Sequence, residues 1–327
     1  MTNYYESCRL CPRNCGVNRL AGEAGYCGES AALRVAVAVL HSGEEPPLVG
    51  NSGSGTIFVS GCNLGCVFCQ NYQISKGNQI SRGNQFSRQA GSALGGTVSA
   101  GDFAGICLAL RDKGAANINI VTGSHAIPAI IEGLAAARSL GMSLPVLWNS
   151  STYESAQALE LLREHVDIYL PDLKTLDGEI AAKFFNAPDY PQTAAAAILK
   201  MMEMAQRSQS AHDKSSARDK VIVRHLIIPG HLESTRAVLR WFADNAKDRA
   251  LLSVMTQYTP ITAERMPQRY INEEEYETVM KWLVEFGIED GFCQELVTGS
   301  DWLPDFSRIN PFSSELSVPV WHFTSRI

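Results

Sequence analysis

The sequence predicts an α/β protein, a partial (βα)6 TIM-like barrel carrying a small N-terminal cysteine-rich, metal-binding extension. Two observations predict it. From residue 55 onward, short apolar runs alternate with stretches of helical periodicity, the pattern of parallel strands covered by helices. Seven of the nine cysteines fall within the first 69 residues, and an odd count so tightly clustered reads as metal ligation, not as a disulfide framework.

The strands are expected at 56–60, 117–121, 145–149, 167–171, 221–228 and 251–257. Helical stretches lie at 102–114, 128–141, 153–165, 177–186, 193–206, 233–245 and 272–286. Asp102 caps the first helix, Gly114 stands past its end and Pro128 opens the second, the expected asymmetry of start and stop residues. Six strand–helix units suit a barrel better than a flat doubly wound sheet. The division is therefore an extension over 1–50, a barrel over 51–305 and a C-terminal tail over 306–327. Two segments break the pattern. Residues 207–220 are polar and read as a surface loop, and residues 75–101 hold the near repeat "SKGNQI…SRGNQF", which reads as an insertion.

Composition narrows the function. Of 327 residues 45% are apolar, enough for a large core, and the net charge of −6 is spread without blocks. No basic stripe invites nucleic acid. No run of 18 apolar residues suggests a membrane span, so a cytoplasmic protein is expected.

The informative stretch is "GTIFVSGCNLGCVFCQNY", residues 55–72, with Cys62, Cys66 and Cys69 on a loop after the first apolar run. Clustered soft thiolates select zinc or an iron–sulfur cluster. The adjoining Gln70, Asn71 and Tyr72 supply no usual fourth zinc ligand. Three thiolates on a four-iron cluster leave one iron open, which makes such a site catalytic. A second group, Cys8, Cys11, Cys15 and Cys27 in "CRLCPRNCGVNRLAGEAGYC", makes a complete four-thiolate shell. It suits zinc or a second 4Fe-4S cluster, structural or electron-transferring; four reduced thiols without metal are the alternative.

Reactive groups of a parallel barrel come from the C-terminal ends of its strands. Those ends carry Thr122, Gly123, Ser124 and His125; Asn149, Ser150 and Ser151; Asp172 and Lys174; Arg224 and His225; Gln257 and Tyr258. Arg224 is a candidate for pairing a carboxylate, since a guanidinium does so bidentately. His125, His225 and His231 are expected to be hydrogen-bonded structural residues, and Cys107 a core residue on an apolar helix face. Cys293 follows the last helix.

The spacing Cys62-x3-Cys66-x2-Cys69, with Phe68 before the last cysteine, resembles the cluster loop of the radical S-adenosylmethionine (SAM) enzymes. "NINIVT", "DIYLPDLK", "VIVRHLIIPGHLE" and "MTQYTP" further resemble homologues of pyruvate formate-lyase activating enzyme, over about residues 8–305. The resemblance implies a 4Fe-4S cluster on Cys62, Cys66 and Cys69 whose open iron chelates SAM. It also implies a flavodoxin- or ferredoxin-type reductant, and a 5′-deoxyadenosyl radical that abstracts hydrogen from a protein or peptide residue. Phe68, Asn71, Thr122, Ser124, Asn149, Ser150, Asp172, Lys174 and Arg224 become the expected cofactor-binding residues. The family's Gly-Gly-Glu-Pro-like turn is replaced here by "TGSHAIP", so Ser124 or backbone carbonyls must take its role. The alternatives are a radical enzyme acting on a small molecule and a non-catalytic iron–sulfur carrier or scaffold.

Overall fold

The computed structural model describes residues 2–75, 93–207, 217–261, 266–299 and 302–325. Its elements begin with β1 (Arg34–His41), α1 (Pro46–Val49), β2 (Ser54–Val59), α2 (Tyr72–Ser75) and β3 (Gly96–Thr97). Next come α3 (Ala100–Asp112), β4 (Ile118–Val121), α4 (Ile127–Ser139), β5 (Val146–Ser150) and α5 (Ala156–Leu162). They continue as β6 (Ile168–Pro171), α6 (Gly178–Phe185), α7 (Tyr190–Arg207), β7 (Ile222–Leu226) and α8 (Leu232–Asn245). The last are β8 (Leu251–Met255), α9 (Glu273–Glu285), β9 (Gly291–Cys293) and β10 (Ser317–His322).

All six expected strands form. β2, β4, β5 and β6 lie side by side in parallel register. Parallel bridges from Tyr169 to Val221 and from Asp172 to Arg224 carry the wall on to β7, followed by β8 and β9, again parallel. The result is the mostly parallel α/β sheet of a partial barrel. Most of residues 75–101 and 207–220 lies outside the described residues, but Gly96–Thr97 within the first segment pairs with β1.

Four strands lie beyond the expectation, the short β3 and β9 and two longer ones. Residues 34–41, expected inside the extension, form β1 antiparallel to β2. Residues 317–322, expected in the tail, form β10 antiparallel to β1. "RVAVAVLH" alternates a β-branched or large residue with alanine and is buried almost throughout, which favours a strand covered on both faces.

The helices start where side chains can satisfy their first amides. α3 begins at a capping box in which the Ser99 hydroxyl accepts from the Asp102 amide and Asp102 accepts from the Ser99 amide. Asp102 is thus the third helical residue, not the cap. α9 uses Asn272 and Glu275 in the same way. The helix expected at 153–165 is shorter, because Glu154 is drawn into a hydrogen-bond network and Ser155 becomes the cap.

Alternation along the wall sorts the side chains into two layers. Ile57, Ile120, Trp148, Tyr169, Val223 and Leu252 face outward into the main core beneath the helices. The inner face is apolar at its lower end, where Leu48 of α1 plugs the barrel against Leu147, Leu170 and Ile222. One register step onward it turns polar, with Asn149, Asp172, Arg224 and Ser253. Polar groups facing a space that no side chain fills make a site.

Candidate functional site

That space is a cavity of about 610 Å³ at the C-terminal ends of the parallel strands, a volume suited to a cofactor-sized molecule. Cys62, Cys66 and Cys69 share one side of its wall with Phe68, Gln70 and Asn71. Thr122, Asn149, Ser150, Asp172, Lys174 and Arg224 come from the strand ends.

The cysteine loop is fastened at several points. Gly61, directly before Cys62, has φ +86°, and a Cβ there would lie 2.4 Å from Glu29 Cγ and 3.1 Å from the Cys27 carbonyl oxygen. Only glycine accepts both that backbone and that approach. The Val67 amide donates to the Phe184 carbonyl (3.0 Å), and the Phe68 ring packs edge-on against Phe184 and Phe185 of α6. Gln70 donates to the Gln257 carbonyl at 2.6 Å. Gln73 bridges Asp305 and the Phe306 amide. The loop therefore enters the cavity as a fixed shelf, with Phe68 as one of its anchors.

Burial pushes the Cys66 thiol up, and burial together with Cys62 raises Cys69 to about 11. Such thiols stay protonated until a metal displaces the proton. Three soft donors in one cavity wall fit three corners of a 4Fe-4S cluster and leave a corner for an exogenous ligand. Among the described residues, no three His, Cys, Asp or Glu side chains converge tightly enough to hold a single ion.

The opposite wall is polar and internally paired. Lys174 Nζ donates to Asp172 Oδ2 at 2.7 Å. Burial disfavours the Lys174 charge, but Asp172 and then Cys66 more than offset it and raise the group above its ordinary range. Behind the pair, Tyr190 Oη donates to the Asp172 carbonyl and accepts from the Lys174 amide. Thr122 and Thr152 hold φ of +61° and +64°, left-handed conformations that β-branched residues avoid. Thr122 lines the cavity and Thr152 follows cavity-lining Ser151, where strain of this kind concentrates at functional sites.

Three expectations change here. Ser124 does not line the cavity; it is buried and donates to Glu154 Oε1 at 2.8 Å. Arg224 reaches the cavity wall, yet its guanidinium is held by Glu44 and Glu45 instead of standing free for a cofactor carboxylate. Tyr258 is buried, with its hydroxyl on the Pro267 carbonyl. His125 and His225 are hydrogen-bonded through their rings, while the His231 ring packs edge-on against Phe184. His125 meets the Ser60 carbonyl (2.8 Å), and His225 meets the Leu173 carbonyl and Thr235. Burial, with Arg19 adding to it, lowers His125 to about 3; burial lowers His225 to about 4. Cys107 is core, while Cys293 is exposed on β9 at the cavity.

Glu154 is a residue that sequence reasoning missed. It is fully enclosed and accepts from Ser124, from Trp148 Nε1 (2.7 Å) and from Ser150 Oγ (2.9 Å). Burial raises its carboxyl, with those three donors acting against the rise. The signal was present as "NSSTYE", an acid four residues beyond a polar strand end. Glu154→Ala leaves three buried donors without an acceptor, at about 1–3 kcal/mol each, so chemical denaturation should show a loss of about 3 kcal/mol or more. Glu154→Gln keeps an acceptor oxygen and should cost less. A buried acid with a raised pKa weakens the fold as pH climbs from its unfolded to its folded value. The wild type should show that decline and Glu154→Gln should not.

A profile of the radical SAM superfamily matches residues 56–242, more than half the chain and the whole run from the cysteine loop through α7 into α8. The chain belongs to the radical SAM superfamily. An uncharacterized protein of Methanocaldococcus jannaschii is 29% identical over 290 residues, 88% of this chain and 77% of that one. A radical SAM methyltransferase from Sphaerobacter thermophilus superposes with a TM-score of 0.51 at 15% identity, covering 79% of this chain and 69% of that one. SuiB of Streptococcus suis, solved with S-adenosylmethionine, aligns with a TM-score of 0.45 at 15% identity; 72% of this chain spans about half of that one (48%). Radical SAM proteins are enzymes that cleave SAM to a radical at a 4Fe-4S cluster. Among the described residues, no helix is long and apolar enough to cross a membrane.

Proposed function

We propose that this radical SAM enzyme abstracts hydrogen from a residue of a protein or peptide, in the manner of glycyl-radical activating enzymes. Cys62, Cys66 and Cys69 would hold the cluster, and Asn71, Thr122, Asn149, Ser150, Asp172 and Lys174 would surround the cofactor. When bound, cluster and SAM supply the radical. The protein's share is to orient the reacting groups and keep water out. Lys174, the cavity-lining cation of the Asp172 pair, suits a carboxylate. Asn149 and Ser150 offer hydrogen bonds across from the cysteine loop.

The observation that carries the polypeptide reading is the edge of the wall at β9. Residues 291–294 line the cavity, and among the described residues β9 pairs only with β8. Gly291 and Cys293 are exposed. An unpaired strand edge at the mouth of a reaction chamber suits an extended peptide, whose backbone can pair with it while one residue reaches inward.

The test is isotopic. Reduced, reconstituted enzyme with SAM is offered a deuterated polypeptide fraction and, separately, a deuterated small-molecule fraction from the same cells. Deuterium should enter 5′-deoxyadenosine from the polypeptides. Transfer from the small molecules alone would replace this reading with the small-molecule one. No 5′-deoxyadenosine in either arm would leave an electron carrier or scaffold.

A further inference from the structure

Besides Cys107 in the core, four cysteines take no part in the cavity. Cys8 and Cys27 are buried, Cys11 and Cys15 half-buried, and none of them lines the chamber. They gather behind the cluster loop. A Cβ placed on Gly25 would lie 3.5 Å from Cys27 Sγ and 3.6 Å from Cys15 Sγ, so these two sulfurs approach one backbone point. The Tyr26 amide donates to Cys15 Sγ at 3.2 Å, and Arg19 Nη1 to Cys8 Sγ at 3.8 Å. Amide and guanidinium donors aimed at sulfur are the outer partners that metal thiolates use.

Charge is the independent observation. Arg19 is 2% exposed. Its hydrogen bonds go to the carbonyls of Glu29, Ser30 and His125 and to Cys8. Among the described residues no carboxylate forms an ion pair with it; Glu29 attracts it from a distance but is paired with Arg34. Arg13, between Cys11 and Cys15, has no carboxylate partner among the described residues either. It donates to the Asn63, Leu64 and Phe185 carbonyls and stacks 3.7 Å above the Tyr26 ring. A buried guanidinium without a close counter-charge costs several kcal/mol. A metal centre in four thiolates carries a net negative charge whether it is Zn²⁺ or an oxidised 4Fe-4S cluster, and so supplies the missing one.

We propose that Cys8, Cys11, Cys15 and Cys27 bind a second metal centre, zinc or iron–sulfur, closed to exogenous ligands and neutralised by Arg19. As they stand, no three of these sulfurs converge tightly enough for a single ion; loading draws them together by rotation about their Cα–Cβ bonds, since metal thiolate sites are completed by the metal. The centre also braces the SAM-cleaving loop. The Cys62 amide donates to the Cys27 carbonyl at 3.3 Å, and Arg13 reaches Asn63 and Leu64 between Cys62 and Cys66.

The test removes the loop site first. A Cys62→Ala, Cys66→Ala, Cys69→Ala protein is purified anaerobically and either reconstituted with iron and sulfide or supplied with zinc. One metal centre per chain should remain by elemental analysis, and the arm that fills it distinguishes iron–sulfur from zinc. Adding Cys8→Ser and Cys15→Ser should empty it. Arg19→Gln in the triple background should weaken metal retention against a chelator by about tenfold. The reciprocal protein, Cys8→Ser and Cys15→Ser alone, should keep only the loop's metal. A metal-free triple variant, or a reciprocal variant with wild-type metal content, would overturn the proposal. Because the loop cysteines are absent from the main arm, the result stands apart from whatever the loop itself does.

Discussion

Replacing any one of Cys62, Cys66 and Cys69 with alanine removes one 4Fe-4S cluster and abolishes reductive cleavage of SAM. The expected loss is complete because three thiolates are the minimum that leaves one iron open without releasing the cluster. The loop cannot recruit a substitute easily, since α6, the end of β8 and the 305–306 segment pin it. Anaerobic reconstitution followed by iron analysis and a 5′-deoxyadenosine assay checks it. Retained cleavage in any single variant with normal iron would remove these cysteines from the reaction.

Arg224→Met should lower thermal stability by about 4–7 °C. The guanidinium is buried between Glu44 and Glu45, with Nε on Glu45 Oε1 at 2.9 Å. Glu44 also accepts from Asn119 Nδ2 at 2.8 Å, so the cluster ties the segment after β1 to β4 and β7 across the chamber. Removing the cation strands two buried carboxylates, at about 3–5 kcal/mol, which for a chain of this size gives a shift of that order. Burial pushes the Glu45 carboxyl up, but Arg224 outweighs it and holds the group below its ordinary range. Its contribution is therefore complete at neutral pH and lost as acid passes below the usual carboxylate range. Adding Glu45→Gln to Arg224→Met should recover part of the loss. Calorimetry showing wild-type stability for Arg224→Met would mean that the ion cluster contributes nothing.

What could be read from the sequence was local. The six strands announce themselves in stretches of five to eight mostly apolar residues, and the cysteine loop lies within eight positions. What could not be read depends on partners far along the chain. Nothing near Arg224 reveals that residues 44 and 45 will meet it, so a buried ion cluster looked like a free cofactor ligand. Ser124 occupies the expected turn, but its direction is decided by Glu154, thirty residues on. "RVAVAVLH" is as strand-like as any barrel segment, yet its place became visible only with β2 on one side and β10 on the other. Composition drew attention to the cysteines around it instead.

The pairing of β10 with β1 has a consequence for how the protein is made. Residue 37 leaves the ribosome 285 residues ahead of residue 322, its neighbour in the sheet. Through that interval β1 keeps one open edge, and contacts between such distant segments are slow to form. The loop carrying Cys62, Cys66 and Cys69 emerges soon after β1, beside that unfinished edge. Metal delivery to the nascent chain thus has an interval in which the thiols exist and the sheet has not yet closed over its outer strand. A chain cut short before residue 317 should therefore leave β1 open to proteases, which limited proteolysis checks.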